Sequence, residues 1–570
     1  MYLRTLWIIG VLITLLMAGC SSNSDSNHVP VANAGLNQNI TAGTMVTLDG
    51  SNSIDADSDL LSYVWSFVSR PDGSSATLAS STVVNPTFTA DIDGEYVLQL
   101  IVNDGTLAST PDTVTIIATT VTPESLIITG VWSQPQLLET LTTAVVAERP
   151  AVAIGADGSA TVTWLQNSST IGSNFFSRGS GSWEQEAVLM EGSNLSDPTV
   201  VMDASSNSIV AWQSQLESPA ILRYNFRSAD GNLSGPSRLD EYDYSWWGPI
   251  GAAFPPKLAM NNAGQGFAIW NQMTPSSYGW YQNLWIRLFN TTTAQWTGPF
   301  NLNYSNLGGP AGDYYSNSFE PQIAMNAAGS AVVVWKRTTG FYDSGSPYYE
   351  PPALKAMVYD NNGLTPAWKA LARLDNESIL PAKAKTVIDA QGNVVVVWLQ
   401  EVGAVNNLYY SRLAAGAETW SAAASLENSD TQIRDFDMTV DGTGNVLVVW
   451  DQEVDSIPRF FFSLFDVDSS SWSVPVSEMI ASGRLVVGMD EDGNAVAVWR
   501  MPKSGGGDGV YASRYNPAAA NVFWSSPERL DTLPGTTGDP VLAVNAAGNT
   551  FVSWIQSDGT TDSVFASYLK

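Results

Sequence analysis

Between residues 121 and 570 one phrase recurs eight times: an apolar run, a short turn ending in Gly or Asn, and a β-branched run that closes on tryptophan. Pro150-Ala151-Val152-Ala153-Ile154-Gly155-Ala156-Asp157-Gly158 leads to Trp164, and Pro321-Gln322-Ile323-Ala324-Met325-Asn326-Ala327-Ala328-Gly329 leads to Trp335. The closing residues are Trp164, Trp212, Trp270, Trp335, Trp398, Trp450, Trp499 and Trp554, spaced by 48, 58, 65, 63, 52, 49 and 55 residues. Self-similarity at such a period means one supersecondary unit per repeat, each too small to bury its apolar face alone. The second half of the unit repeats as well: a strand such as Val510-Tyr511-Ala512-Ser513-Arg514-Tyr515, a polar turn, then a strand opening on Trp183, Trp296, Trp368, Trp420, Trp472 or Trp524. With Trp132, fifteen of the 21 Trp fall on these two positions, so their recurrence reads as packing. A proline follows in Trp296-Thr297-Gly298-Pro299 and Trp472-Ser473-Val474-Pro475, as an edge strand tolerates.

Four strands per unit, eight times over, predict an eight-bladed β-propeller. The last unit stops after its third strand, Val564-Phe565-Ala566-Ser567-Tyr568-Leu569. The missing piece, in the same Trp-x-x-Pro form, stands ahead of the first unit as Trp132-Ser133-Gln134-Pro135-Gln136-Leu137-Leu138. This N-terminal strand is expected to complete the last blade and close the ring, where an open solenoid would need polar caps. The first turns carry Asp157, Asp203, Asn261, Asn326, Asp389, Asp441, Asp490 and Asn545. Repeated calcium ligands are one reading of these. The other is turn chemistry, in which the Asx residue braces a tight turn whose Gly is left-handed. Asn at three of the eight positions, and the lack of further ligands, favour the turn.

Ahead of the repeats, residues 29–120 alternate apolar and polar residues in about seven short runs, among them Leu61-Ser62-Tyr63-Val64-Trp65-Ser66-Phe67 and Tyr96-Val97-Leu98-Gln99-Leu100-Ile101-Val102. That grammar predicts an immunoglobulin-like sandwich. Asn33-Ala34-Gly35, Leu48-Asp49-Gly50-Ser51, Asp55-Ala56-Asp57-Ser58-Asp59, Tyr63-Val64-Trp65 and Val102-Asn103-Asp104-Gly105 together resemble a PKD domain, which implies that Trp65 is the tryptophan between its sheets. The spacing of Asp55, Asp57 and Asp59 offers clustered carboxylate oxygens of the kind calcium takes. It suits equally a solvated loop whose Asp side chains bond their own backbone. The chain is therefore read as all-β: an Ig-like PKD sandwich at 29–120 and a propeller at 121–570.

At the N-terminus, Arg4 precedes an apolar run from Leu6 to Met17, followed by Met17-Ala18-Gly19-Cys20. This describes a secretory signal peptide over 1–19, too short for a membrane span. Its end resembles a bacterial lipobox, with Met17 where leucine is usual. The resemblance implies lipidation of Cys20, a tether over 20–28 and, with Ser21 next, an outer-membrane protein held to the membrane by its acyl chains. Several chains anchor stably at about 0.8 kcal/mol per buried CH2. Lys+Arg 25 against Asp+Glu 55 gives a net charge of −30, which excludes nucleic acid as a partner. One His (His28) and one Cys leave no material for Cys–His dyads, clustered His–Cys metal sites or internal disulfides. No cofactor is expected apart from calcium at the Asp cluster.

Function is sought where the repeats lose regularity. Repeats two to four carry aromatic insertions: Tyr242, Tyr244, Trp246 and Trp247; Tyr278, Trp280 and Tyr281; Tyr314 and Tyr315; and Phe341, Tyr342, Tyr348 and Tyr349. In an up-and-down blade, the loops after the second and fourth strands leave on the same face, so all four insertions are expected to crowd one face of adjacent blades. Tyr and Trp beside Asp, Asn and Ser suit sugar rings or a protein hot spot; equally, they can pack the long loops onto the blades. The expectation is a binding protein for glycan or a protein partner. A glycoside hydrolase or lyase working through carboxylates such as Asp243, Asp313, Glu320, Asp343 or Glu350, and an adhesive envelope scaffold, are the alternatives.

Overall fold

The computed structural model describes residues 27–119 and 130–569 apart from internal segments, the longest being 140–145, 241–250, 303–314 and 518–523. Every regular element among the described residues is a strand. The chain divides into two compact units, Met1–Ser125 and Leu126–Lys570. Cys20, the expected lipidation site, and residues 1–19, read from the sequence as a signal peptide, lie outside the described residues.

In the first unit a four-stranded sheet runs in the order Gln38–Thr41, Asp112–Thr119, Gly94–Asn103, Ser62–Ser69, and Met45–Thr47 pairs with Thr87–Thr89 in a second sheet. Strand Gly94–Asn103 buries every second residue, the period of a strand with one face on a core. Tyr96, Leu98, Leu100 and Val102 thereby meet Trp65, Phe88 and Val46. Trp65 is only 2% exposed, as expected of the tryptophan between the sheets.

The second unit holds, among the described residues, eight successive antiparallel sheets, each built on four strands in chain order. The exception is the eighth, whose outer strand comes from far upstream. Gln136–Leu137 pairs with Asp562–Tyr568, placing Phe565 opposite Leu137. Trp132 bridges to Leu569, Ser133 N donates to Tyr568 O at 2.8 Å, and Leu138 N donates to Val564 O at 3.0 Å. The outer strands are short, with two paired residues at Ser182–Trp183 in the first sheet. Second strands such as Val394–Val402 are buried on both faces, and the eight closing tryptophans are at most 1% exposed.

Consecutive sheets touch through their first strands, in a cycle. Ala147–Ile154 meets Leu195–Met202, which meets Lys257–Met260, and so on through Tyr315–Met325, Pro381–Ile388, Ile433–Val440 and Ser482–Met489 to Val541–Val544, which meets Ala147–Ile154 again. The first turns tie the cycle. The Asn326 amide donates to Asp389 O at 2.9 Å, Asn261 to Ala327 O at 3.2 Å, and Asn545 to Gly155 O at 2.8 Å, the last joining the eighth sheet to the first. Within each turn the Asx side chain accepts local backbone N–H groups: Asp441 takes those of Thr443, Gly444 and Asn445 at 2.8–2.9 Å. Turn chemistry thus accounts for these residues. One assignment needs correcting. The backbone N of the turn residue donates to the carbonyl four residues on, Asp203 to Asn207 and Asn545 to Asn549, and in the first sheet that residue is Gly155, not Asp157. Asp157 sits two residues later and accepts Ser159 N.

Candidate functional site

Two hairpins leave the regular frame at the same end of their sheets. In the third sheet, Gln265–Ser276 and Gly279–Asn290 stay paired to Ser276 opposite Gly279, with Trp280 opposite Pro275 and Tyr281 opposite Thr274. In the fourth, Ala331–Asp343 runs on to pair with Ser346–Tyr349, placing Phe341 opposite Tyr348 and Tyr342 opposite Pro347. The first strand follows it outward, so Tyr315, Gly340 and Tyr349 share one row across three strands. Both hairpins join second to third strands. Gln282 N donates to Asn317 Oδ1 at 2.8 Å and links the third-sheet hairpin to the first strand of the fourth sheet. Trp280 is 50% exposed and lies against Gly251, where an added Cβ would meet its ring at 3.0 Å. Tyr281 is half-buried. Tyr242, Tyr244, Trp246, Trp247, Tyr278 and Tyr314 lie outside the described residues, and for Tyr315, Phe341, Tyr342, Tyr348 and Tyr349 the backbone placement is what the structure gives.

Beside these hairpins the first strands share a feature that the repeat pattern did not announce. Each carries extra residues relative to its second strand: between Glu148 and Ala151, Ser196 and Thr199, Phe319 and Gln322, Pro381 and Ala384, Ile433 and Asp435, and Ser482 and Leu485. In the third and eighth sheets, the outlying bridges Ala253–Gln272 and Thr537–Gln556 stand one residue out of step with the main register. Such bulges re-aim a side chain. Counting six residues back from the turn residue gives Arg149, Asp197, Pro255, Glu320, Lys383, Asp435, Arg484 and Asp539, so seven of eight positions are charged. Arg149, Asp197 and Glu320 hold φ values of 51°, 47° and 49° there. Left-handed backbone at a non-glycine residue is strained and gathers at functional sites.

Neighbouring sheets pair many of these charges. Arg149 bonds Asp197, Lys383 bonds Asp435, and two residues further along the same strands Lys385 bonds Asp437. Glu320 pairs with Lys336 at 2.9 Å and Asp539 with Arg500 at 2.9 Å. Burial holds the Lys383 ammonium below the usual lysine range and nearby Lys385 adds to this, with Asp435 opposing. Burial likewise raises the Asp451 carboxyl.

In the first unit, ligand atoms of Asp55, Asp57 and Asp59 lie within 4.8 Å of one another. Some of these oxygens are engaged: Asp55 Oδ1 accepts Asp57 N and Asp59 N, and Asp57 accepts His28 N at 2.6 Å and faces its Nδ1 at 2.9 Å, while Asp55 Oδ2 is buried without a hydrogen-bond partner. The arrangement is that of an Asx-braced loop, and the cluster can offer a cation only the oxygens these bonds leave.

Residues 34–118 match a family of PKD domains, so the first unit is a PKD domain. No curated protein matches the chain. Among solved structures, the chain is similar to a polysaccharide lyase described as an ulvan lyase, at 10% identity over 65% of this chain and 94% of that one, with a TM-score of 0.43. It is also similar to the NanB sialidase of Streptococcus pneumoniae (9%, 78% and 99%, 0.34) and to a protein of unknown function from Dyadobacter fermentans (11%, 77% and 98%, 0.35). At these TM-scores the likenesses transfer no chemistry to this chain.

Proposed function

We propose that the second unit is an eight-bladed propeller, and that the protein is a lipid-anchored envelope protein binding glycan or a protein partner at the end where the long hairpins emerge. The observation that carries this reading is that two hairpins of successive sheets, both joining second to third strands, carry aromatic insertions beside a row of charged bulge residues. An exposed indole with polar neighbours offers a stacking face at little entropic cost. The cyclic contact of first strands supports closure, because it leaves no sheet at an end.

The test uses the secreted form lacking Cys20 on a glycan array and against envelope extracts. Trp280→Ala and Tyr281→Ala are expected to lower affinity at least tenfold; at the exposed Trp280 the fold should stay intact, since exposed substitutions shift stability by about 0.5 kcal/mol or less, and at the half-buried Tyr281 a melting curve separates loss of binding from loss of fold. Unchanged binding in both variants would remove the hairpins from the reading. Release of shortened saccharides during the assay would favour an enzyme. The anchor is tested separately: fatty-acid labelling should be lost in Cys20→Ser.

A further inference from the structure

In an acidic chain the first strands are an unusual place. Of the 25 Lys and Arg residues, six stand on them: Arg149, Lys257, Lys383, Lys385, Arg434 and Arg484. Most are neutralised, Arg149, Lys383, Lys385 and Arg434 by Asp197, Asp435, Asp437 and Asp451. Lys257 and Arg484 have no ion-pair or hydrogen-bond partner among the described residues, although carboxylates outnumber cations more than two to one in this sequence. Lys257 stands on the first strand of the third sheet, Lys385 on that of the fifth and Arg484 on that of the seventh. These sheets are not neighbours, so the three strands face one another only across the space that the cycle of first strands encloses.

Electrostatics agrees with this placement. Desolvation holds the Lys257 ammonium below the usual lysine range, and Arg484 and then Lys385 push it further down. Its side chain nonetheless remains open to water. Exposure together with desolvation is what a side chain turned into the space bounded by the first strands would experience. Asp437 already answers Lys385, but the charges of Lys257 and Arg484, which no carboxylate among the described residues pairs, cost stability until something anionic joins them. Natural chains keep such arrangements where function requires them.

We propose that Lys257, Lys385 and Arg484 form an oxyanion site inside the ring of first strands, taking a carboxylate or sulfate group of a small acidic ligand. Arg484 supplies a planar fork that matches two oxygens, and Lys257 a point charge. Lys385, shared with Asp437, contributes less. The net charge of −30 repels anions at a distance, so occupancy depends on these close contacts and on what reaches the enclosed space. The site rests on the cyclic arrangement of strands and stands whether or not the aromatic hairpins bind anything.

The test is calorimetric titration of the full mature chain with sodium glucuronate and with sodium sulfate at constant ionic strength, with glucose and sodium chloride as controls. Saturable one-to-one binding of either anion is expected, weakened at least tenfold in Lys257→Met and in Arg484→Met. Glucuronate alone would assign the site to carboxylates, and sulfate alone to tetrahedral anions. The unliganded Lys257→Met protein should melt no lower than the parent, because the substitution removes like-charge repulsion, and this separates loss of the site from loss of the fold. Equal affinity in parent and variants, failure of both anions to saturate, or an equal response to chloride would overturn the proposal.

Discussion

The closing tryptophan of each repeat is visible in the sequence, but its hydrogen-bond partner is less so. In four sheets the indole N–H donates to a glutamine two residues on: Trp270 to Gln272 at 3.0 Å, Trp398 to Gln400 at 2.5 Å, Trp450 to Gln452 at 3.0 Å and Trp554 to Gln556 at 3.1 Å. The two-residue strand period puts both side chains on one face, so Trp-x-Gln was a readable signal. Gln556 is 1% exposed and its amide also donates to Leu533 O at 3.1 Å and Gly535 O at 3.2 Å. Gln556→Met should therefore destabilise the second unit by about 1–3 kcal/mol by leaving buried groups unpaired, as denaturant unfolding would show. Asn326→Asp makes a sharper comparison. It keeps the acceptor for Ser330 N but loses the donor to Asp389 O, bringing a carboxylate against a carbonyl. A loss of about 1–3 kcal/mol is expected, larger at neutral pH than near pH 4. The charged bulge residues were not legible, because an extra residue throws the strand out of the period by which faces are read. Asn261, Asn326 and Asn545, which looked interchangeable with Asp, reach the next sheet as only an amide can.

At the scale of strands, the four-strand unit and the displaced outer strand were both readable, since the Trp-x-x-Pro form appears where its sheet partner does not. Pairing of Phe565 with Leu137 bears out the swap. Trp132 is 7% exposed and packs with Phe565, Trp554 and Leu569. Trp132→Ala should cost about 3–5 kcal/mol in the second unit. Removing residues 132–138 should do more than weaken it. The strand Asp562–Tyr568 would become an open edge, and concentration-dependent association should appear in sedimentation. A truncated chain that stays monomeric with an unchanged melting temperature would mean that this strand is not what holds the last sheet. The insertions divide. Those between second and third strands proved to be continuations of the hairpin, a length that alternation predicts poorly once Pro275, Gly340 and Pro347 interrupt it.

Across the whole molecule, the two units should answer acid differently. In the PKD domain Asp91 accepts Ser74 Oγ at 2.6 Å, Ser75 N at 2.6 Å and Tyr96 OH at 2.9 Å, and these bonds, the Ser74 bond first, hold its carboxyl below the ordinary 3.8. Asp104 is lowered to about 2, chiefly by the Leu107 N–H and then by Thr106. A carboxyl whose folded pKa lies below its unfolded one contributes stability that is complete above the unfolded value and is lost as pH falls through the folded one. Acidification from about pH 4 towards pH 2 should therefore withdraw support from this domain. Asp375 and Asp451 in the second unit have the opposite sign: burial raises both. Their native forms take up a proton before the unfolded chain does, so from these two groups stability rises as pH falls towards 3.8. Calorimetry or hydrogen exchange on the full chain between pH 7 and pH 2.5 should show the protection of residues such as Leu98 and Val114 declining first. Asp91→Asn should flatten that decline and lower the melting temperature of the domain at neutral pH, where the charged acceptor now does most. Parallel loss of protection in both units, with no effect of Asp91→Asn on the slope, would show that the acid response lies elsewhere.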